Sequence, residues 1–167
     1  VDYALDNGLM SGVSSREFAP GSTLTRAMVA QMLYSLEGKP AAGRADFADV
    51  AEGAWYADAI SWAAGEGIVS GYGDTFGPND PITREQLAAI LYRYAQYKGY
   101  DVTATGSLDS FTDKGSASAW AQEAIKWAVG NGIMGGKENN LLDPKGTATR
   151  AEIAAMLHRF VEKYGLK

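Results

Sequence analysis

The chain has 167 residues, enough for one domain with a buried core, and its 46% hydrophobic fraction is that of an ordinary globular protein. A net charge of −5 and a sequence pI of about 4.9 argue against nucleic acid as partner, because binders of a phosphate backbone carry a basic face. The lack of cysteine excludes disulfide frameworks, thiolate metal sites and thiol catalysis; no run approaches the roughly 18 apolar residues of a membrane span, and Val1-Asp2-Tyr3-Ala4 has no basic start leading into an apolar core.

The first turn-rich stretch holds Gly8-Leu9-Met10-Ser11-Gly12 and Phe18-Ala19-Pro20, the punctuation that ends one helix and precedes another. A long helix is predicted from Thr25-Arg26-Ala27-Met28, with Val29, Met32, Leu33 and Leu36 on one face. A Gly/Ala-rich connection at 38–46 leads to Phe47-Ala48-Asp49-Val50. Next comes a helix predicted over 55–66, where Trp55 and Trp62, seven apart, share a face with Ala59 and Ile60. Gly67-Ile68-Val69-Ser70-Gly71, Phe76-Gly77-Pro78 and Thr83-Arg84-Glu85-Gln86 then repeat the earlier order, and Leu87, Ile90, Leu91 and Tyr94 line the next long helix. The third pass begins with a connection at 99–110, Phe111-Thr112-Asp113-Lys114 and a helix over 120–131 carrying Trp120 and Trp127. It continues through Gly132-Ile133-Met134-Gly135-Gly136 and Leu142-Asp143-Pro144 to a helix from Thr149, with Ile153, Met156, Leu157 and Phe160 as its stripe.

The threonines at 25, 83 and 149 stand 58 and 66 residues apart, so the chain is a tandem repeat with units at 1–40, 41–100 and 101–167. Tyr3 holds the place of Trp62 and Trp127, and the first unit is expected to lack its N-terminal part. Three equivalent amphipathic helices bury their stripes most simply against one another, which predicts an all-α, pseudo-threefold assembly of helix–loop–helix repeats with the recurring loops at clefts between units.

Thr149 with Glu152, and Thr83 with Gln86, read as capping boxes, whereas Met28 leaves the first copy with the threonine half alone. The arginine beside each cap is harder to place, because a cation in the first turn faces the positive end of the helix dipole. Free amides at a helix start plus a forked guanidinium make a receptor for a carboxylate; the competing reading is an internal salt bridge, for instance from Arg84 to Asp80 or Asp74. Trp62 and Trp127 lie within two turns of the cleft loop, where their rings face either a sugar or the core, while Trp55 and Trp120 are expected in the core. Gly12, Gly71 and Gly136 suit a helix terminus or a close ligand approach. Tyr72 and Lys137 occupy corresponding loop positions, the lysine as a second cation for an acidic glycan. The loop at 71–80 lacks the spacing of a calcium site, and the single histidine, His158, stands where Tyr34 and Tyr92 stand, as a packing substitution.

The ordered set Phe47-x-Asp49-Val50, Trp55-Tyr56, Ala59-Ile60, Trp62-Ala63, Gly67-Ile68-Val69-x-Gly71-Tyr72, Phe76-x-Pro78, Ile82-Thr83-Arg84 and Leu91-Tyr92-Arg93 closely resembles the S-layer homology repeat of bacterial surface proteins. The resemblance covers essentially the whole chain in three copies. It implies a three-pronged module around a central three-helix bundle, which anchors exported proteins non-covalently to secondary cell-wall polysaccharide outside the cell. It also implies grooves between repeats that recognise the carboxylate of a pyruvylated amino sugar, with Arg26, Arg84 and Arg150 as principal contacts. Copy three, Thr149-Arg150-Ala151-Glu152, matches the family's Thr-Arg-Ala-Glu motif in full; copy two reads Thr-Arg-Glu-Gln and copy one Thr-Arg-Ala-Met. The expected ligand-binding set is Arg26, Arg84, Arg150, Gly12, Gly71, Gly136, Trp62, Trp127, Tyr72 and Lys137, with no cofactor, no metal and no membrane insertion. The chain is expected to be a monomer of three pseudo-equivalent units. The rival reading is a self-assembly module making protein–protein contacts in a surface layer, and an enzyme lacks any nucleophile or acid/base constellation to support it.

Overall fold

A computed structural model describes residues 23–41, 47–51, 53–71, 73–137 and 140–165; Tyr3, Gly12 and Tyr72 lie outside them. Among the described residues the fold is all-α. The helices are α1 (Arg26–Leu36), α2 (Ala57–Gly65), α3 (Arg84–Tyr97), α4 (Gln122–Gly130) and α5 (Arg150–Tyr164), with short 3₁₀ turns at Lys114–Ser116 and Ala119–Ala121.

The ends of these helices are written locally. The side chains of Thr25, Thr83 and Thr149 accept from the amides three residues on, and Gln86 and Glu152 complete the two reciprocal capping boxes read from the sequence. The short helices stop at Gly67 and Gly132, whose φ values of 76° and 70° place them in the left-handed region. There the Ile68 and Ile133 amides reach back to Ala63 and Ala128, each at 2.8 Å, and both isoleucines enter the core with 0% exposure.

Three antiparallel bridges join the cap segments, Thr25 to Pro81, Thr83 to Thr147 and Thr149 to Thr23. Each cap threonine therefore pairs with the residue two before the next cap, and the third bridge returns to the first unit. This closed circuit is the pseudo-threefold relation in backbone form.

Away from the circuit, α2 lies on α1 and α4 lies on α3, so each short helix docks on the long helix of the preceding unit. Trp62 and Trp127 are the wedges at these junctions. Trp62 lies 5.7 Å from Tyr34 on one side and 6.4 Å from Tyr94 on the other, and Trp127 lies 5.5 Å from Tyr92 and 6.2 Å from Phe160, between ring centroids. The Trp127 indole also donates to the Tyr164 hydroxyl at 3.1 Å. The long helices meet where Tyr94 contacts Phe160, and the Tyr94 hydroxyl donates at 2.8 Å to Glu37, which also pairs with Lys98. Burial and the Glu37 carboxylate push the Tyr94 hydroxyl pKa well up, so it remains a donor.

The tryptophans correct the sequence reading. Trp62 and Trp127 are 3% and 0% exposed and present no face to a ligand, whereas Trp55 and Trp120, expected in the core, are 57% and 56% exposed. The i, i+7 argument fails because Trp55 precedes α2 and Trp120 sits in a 3₁₀ turn, so neither keeps the α-helical phase of its partner.

Removing the more buried wedge tests this packing. Trp127→Ala is expected to lower stability by about 3–5 kcal/mol, measured by chemical denaturation, while Trp120→Ala changes it by less than about 0.5 kcal/mol. Equal losses for the two would contradict the burial difference.

Candidate carbohydrate-binding groove

The arginines after the first two caps turn into the loop of the next unit. Arg26 Nε donates to the Phe76 carbonyl at 3.0 Å and its Nη2 to the Ser70 carbonyl at 2.7 Å, with the guanidinium carbon 4.5 Å from the Phe76 ring centre. Arg84 repeats the pattern one unit on: Nε donates to Leu142 at 3.0 Å, Nη2 to Gly135 at 2.7 Å, and Nη1 pairs with Glu152 at 2.6 Å. These side chains are 5% and 4% exposed, and Arg150 is 9% exposed.

Two expectations change as a result. Arg84 does form an internal ion pair, but with the capping glutamate of the next unit rather than with Asp74 or Asp80. The helix-start amides are also already engaged: Arg26 and Ala27 donate to Asp80 and Pro78 at 2.9 and 3.0 Å, and Arg84 and Glu85 donate to Gly146 and Pro144 at 2.9 and 2.8 Å. With the next amide held by the cap threonine, α1 and α3 have no open cluster of amides for a carboxylate.

Beside the Arg26 contact opens a cleft of about 350 Å³ to which all three units contribute. Arg26 comes from the first, Gly71 and the α3 residues Gln86, Ile90 and Arg93 from the second, and Trp120 from the third. Gln86, Ile90 and Arg93 stand at i, i+4 and i+7, the spacing of one helix face. The half-buried Arg93 reaches toward the Ser70 hydroxyl at 3.4 Å and brings a cation to the opening. A larger hollow of about 580 Å³, between the 105–109 connection and Gln122 and Lys126, contains none of the recurring motif residues.

The wall at Gly71 is held without a side chain. A Cβ there would come within 2.4 Å of the Phe47 ring and 2.6 Å of the Thr75 carbonyl, and at Gly136 within 2.6 Å of the Phe111 ring. Those rings follow from the recurring Phe-x-Asp. The Asp49 carboxylate accepts from the Phe76 and Gly77 amides at 2.8 and 2.9 Å, and Asp113 accepts from Leu142 and Asp143 at the same distances. Desolvation pushes the Asp49 pKa up, but the two amides and the Arg26 charge outweigh it and hold the pKa below its usual value. For Asp113 the Leu142 amide is the main cause of the same depression, helped by Asp143 and Arg84.

The expected site residues thus separate. Arg26 and Gly71 meet in the groove; Arg84 of the second unit donates into the corresponding loop of the third, which carries Gly136; Trp62 and Trp127 are core. Lys137 pairs with Asp143 at 2.6 Å, so its charge is answered locally. His158 pairs with Glu162 at 3.0 Å, and among the described residues no cluster of side chains suits a metal ion. Arg93 and Trp120 were not expected as site residues. The α3 spacing offered a signal for Arg93; for Trp120 the signal was its distance upstream of the helix.

The S-layer homology domain profile matches residues 1–28, 46–88 and 110–154. The chain belongs to the S-layer homology domain family. It is similar to an amylopullulanase of Thermoanaerobacterium thermosulfurigenes, 40% identical over 99% of this chain and 9% of that protein. It is 32% identical to a surface-layer 125 kDa protein of Lysinibacillus sphaericus over 97% of this chain and 14% of the relative. A cellulosome-anchoring protein of Acetivibrio thermocellus is 28% identical over 92% of this chain and 35% of its own length. The chain therefore spans about a third or less of these relatives, and the part they share with it is a module common to proteins of different names. It is a module of the bacterial cell surface, and no described helix is long and apolar enough to cross a membrane.

Two outcomes follow from the contacts. Arg84→Ala strands Glu152 and two buried carbonyls and is expected to cost about 3 kcal/mol in a denaturant titration. The depressed carboxyls stabilise the fold fully above 3.8, the value of an unperturbed aspartate, and that stability is lost as pH falls through their lower folded-state pKa values. Thermal midpoints should drop below about pH 4. In an Asp49→Asn/Asp113→Asn variant they should start lower at neutral pH and fall less steeply; a parallel decline would show that these carboxylates are not responsible.

Proposed function

We propose that this chain is a non-catalytic carbohydrate-binding module that anchors a longer exported protein to secondary cell-wall polysaccharide, and that an acidic, pyruvylated amino sugar occupies the groove between Arg93 and Trp120. The supporting observation is the convergence of three units on one cleft that combines a partly exposed guanidinium, an exposed indole and a glycine wall. A guanidinium offers a carboxylate two parallel hydrogen bonds, the axial C–H face of a pyranose packs on an indole, and Gly71, which is bare because the Phe47 ring fills its side-chain space, lines the wall beside them. Arg26, held by two carbonyls, supplies positive potential at one wall rather than a mobile arm.

The stretches 1–40, 41–100 and 101–167 act in this reading as one body, and weak binding at related grooves along a repetitive glycan adds through multivalency. The rival is self-assembly in a surface layer, which predicts concentration-dependent oligomers without glycan.

Calorimetry with purified wall polysaccharide, before and after chemical removal of its acidic substituent, separates the two readings. Heat of binding is expected with the native glycan and not with the stripped one. Arg93→Gln and Trp120→Ala should each weaken binding at least about tenfold, equivalent to 1.4 kcal/mol, with the helical circular dichroism intact. Equal binding of both glycans would refute the charge-based mechanism. Arg84→Ala is a poor test, because it damages the fold.

A further inference from the structure

Glu85 is a buried carboxylate, 4% exposed, at the second position of α3, where α1 and α5 carry Ala27 and Ala151. Its contacts lie in the next unit. Oε1 accepts from the Ser118 amide at 2.9 Å and Oε2 from the Ser118 hydroxyl at 2.8 Å. Ser118 is the N-cap of the 3₁₀ turn Ala119–Ala121, and the middle residue of that turn is Trp120. A carboxylate on the groove's own helix therefore grips the backbone two residues before the groove's indole.

Burying a carboxylate is costly unless its oxygens are satisfied, and the fold itself does not demand this one. At the preceding junction Ala27 holds the place of Glu85, Gly53 stands two residues before Trp55 as Ser118 stands two before Trp120, and α2 still docks on α1. The residues change as a pair, Glu with Ser and Ala with Gly. Where the pair is Ala and Gly, the turn before the tryptophan contains Gly53 at φ 90°, and Trp55 stands edge-on to Tyr56 with ring centres 5.0 Å apart.

We propose that the Glu85–Ser118 clamp positions Trp120 as a fixed wall of the groove beside Arg93, so that this groove is preorganised for a sugar ring. The proposal rests on the groove reading above. Glu85 is a positioning residue: it acts through the turn and touches no ligand itself. Holding an exposed indole before binding removes part of the ordering cost, which corresponds to roughly a three- to tenfold gain in affinity.

The test uses the chain labelled with 5-fluorotryptophan, with the Trp120 resonance assigned through Trp120→Phe and Trp55 as internal reference. Glu85→Ala/Ser118→Gly reproduces the pair found at the neighbouring junction. It is expected to fold, to narrow the Trp120 resonance and move it toward the Trp55 position, and to weaken binding to wall polysaccharide about three- to tenfold, chiefly through faster dissociation. Glu85→Gln, which keeps one acceptor, should fall between parent and double variant. If the double variant unfolds, Ser118→Ala, which removes one of the two bonds, carries the same measurement. An unchanged Trp120 resonance overturns the clamp. A changed resonance with parental affinity, while Trp120→Ala still weakens binding, overturns preorganisation and leaves the groove reading standing. Parental affinity in Trp120→Ala overturns the groove reading and the clamp's role in binding with it.

Discussion

The first amides of an α-helix have no partner within the helix, and a buried helix start must find them one. In this fold α1 and α3 find theirs in the following unit. Two amides donate to loop carbonyls of that unit, a third turns back to the cap threonine, and the bridge from Thr149 to Thr23 brings the pattern round to the first unit. Neither of the first two units is complete alone, because the start of its long helix is closed by the unit that follows. The arginines become intelligible on the same footing. A cation in the first turn opposes the helix dipole, but Arg26 and Arg84 lie among loop carbonyls, and Arg84 also meets Glu152, so local negative charge compensates for the position.

The groove is a by-product of this closure. Once the guanidinium of one unit holds the glycine loop of the next, that loop lies against the first turns of its own long helix, and the following unit's 3₁₀ turn completes the third side. Gly71 stays bare because the Phe47 ring, anchored through Asp49, occupies the space a Cβ would need. Residues that stabilise the assembly thus form most of the cleft's walls, and the side chains left exposed at its opening, Arg93 and Trp120, are those whose removal least disturbs the core.

Local chemistry made much of this legible from sequence. The caps, the glycine stops at Gly67 and Gly132 and the stripe of each long helix depend on residues close together in sequence, and these appear as read. The helical period does not place Trp55 and Trp120, because the residues it would have to cross are not α-helical. Arg84 is hard to place from sequence because its partners, Gly135, Leu142 and Glu152, are 51 to 68 residues away. Nothing in the spacing of a repeat states that the arginine of one copy belongs to the loop of the next. Arg93 and Trp120 escaped for a related reason, since a groove built from three units has no contiguous signature.

Pseudo-symmetry also conceals chemical divergence. The position that completes the capping box is Gln86 beside Arg26 and Glu152 beside Arg84, so one junction has a compensating charge where the other has a neutral amide. The position before it is Glu85 in the second copy and alanine in the other two, and of the two described junctions the one with Glu85 has its following turn held by that side chain. Both differences lie on the first turn of a long helix, where the backbone is held by the circuit whatever the side chains are. The closed ring therefore leaves those side chains free to vary, and it is there that otherwise equivalent grooves acquire different charge and different rigidity.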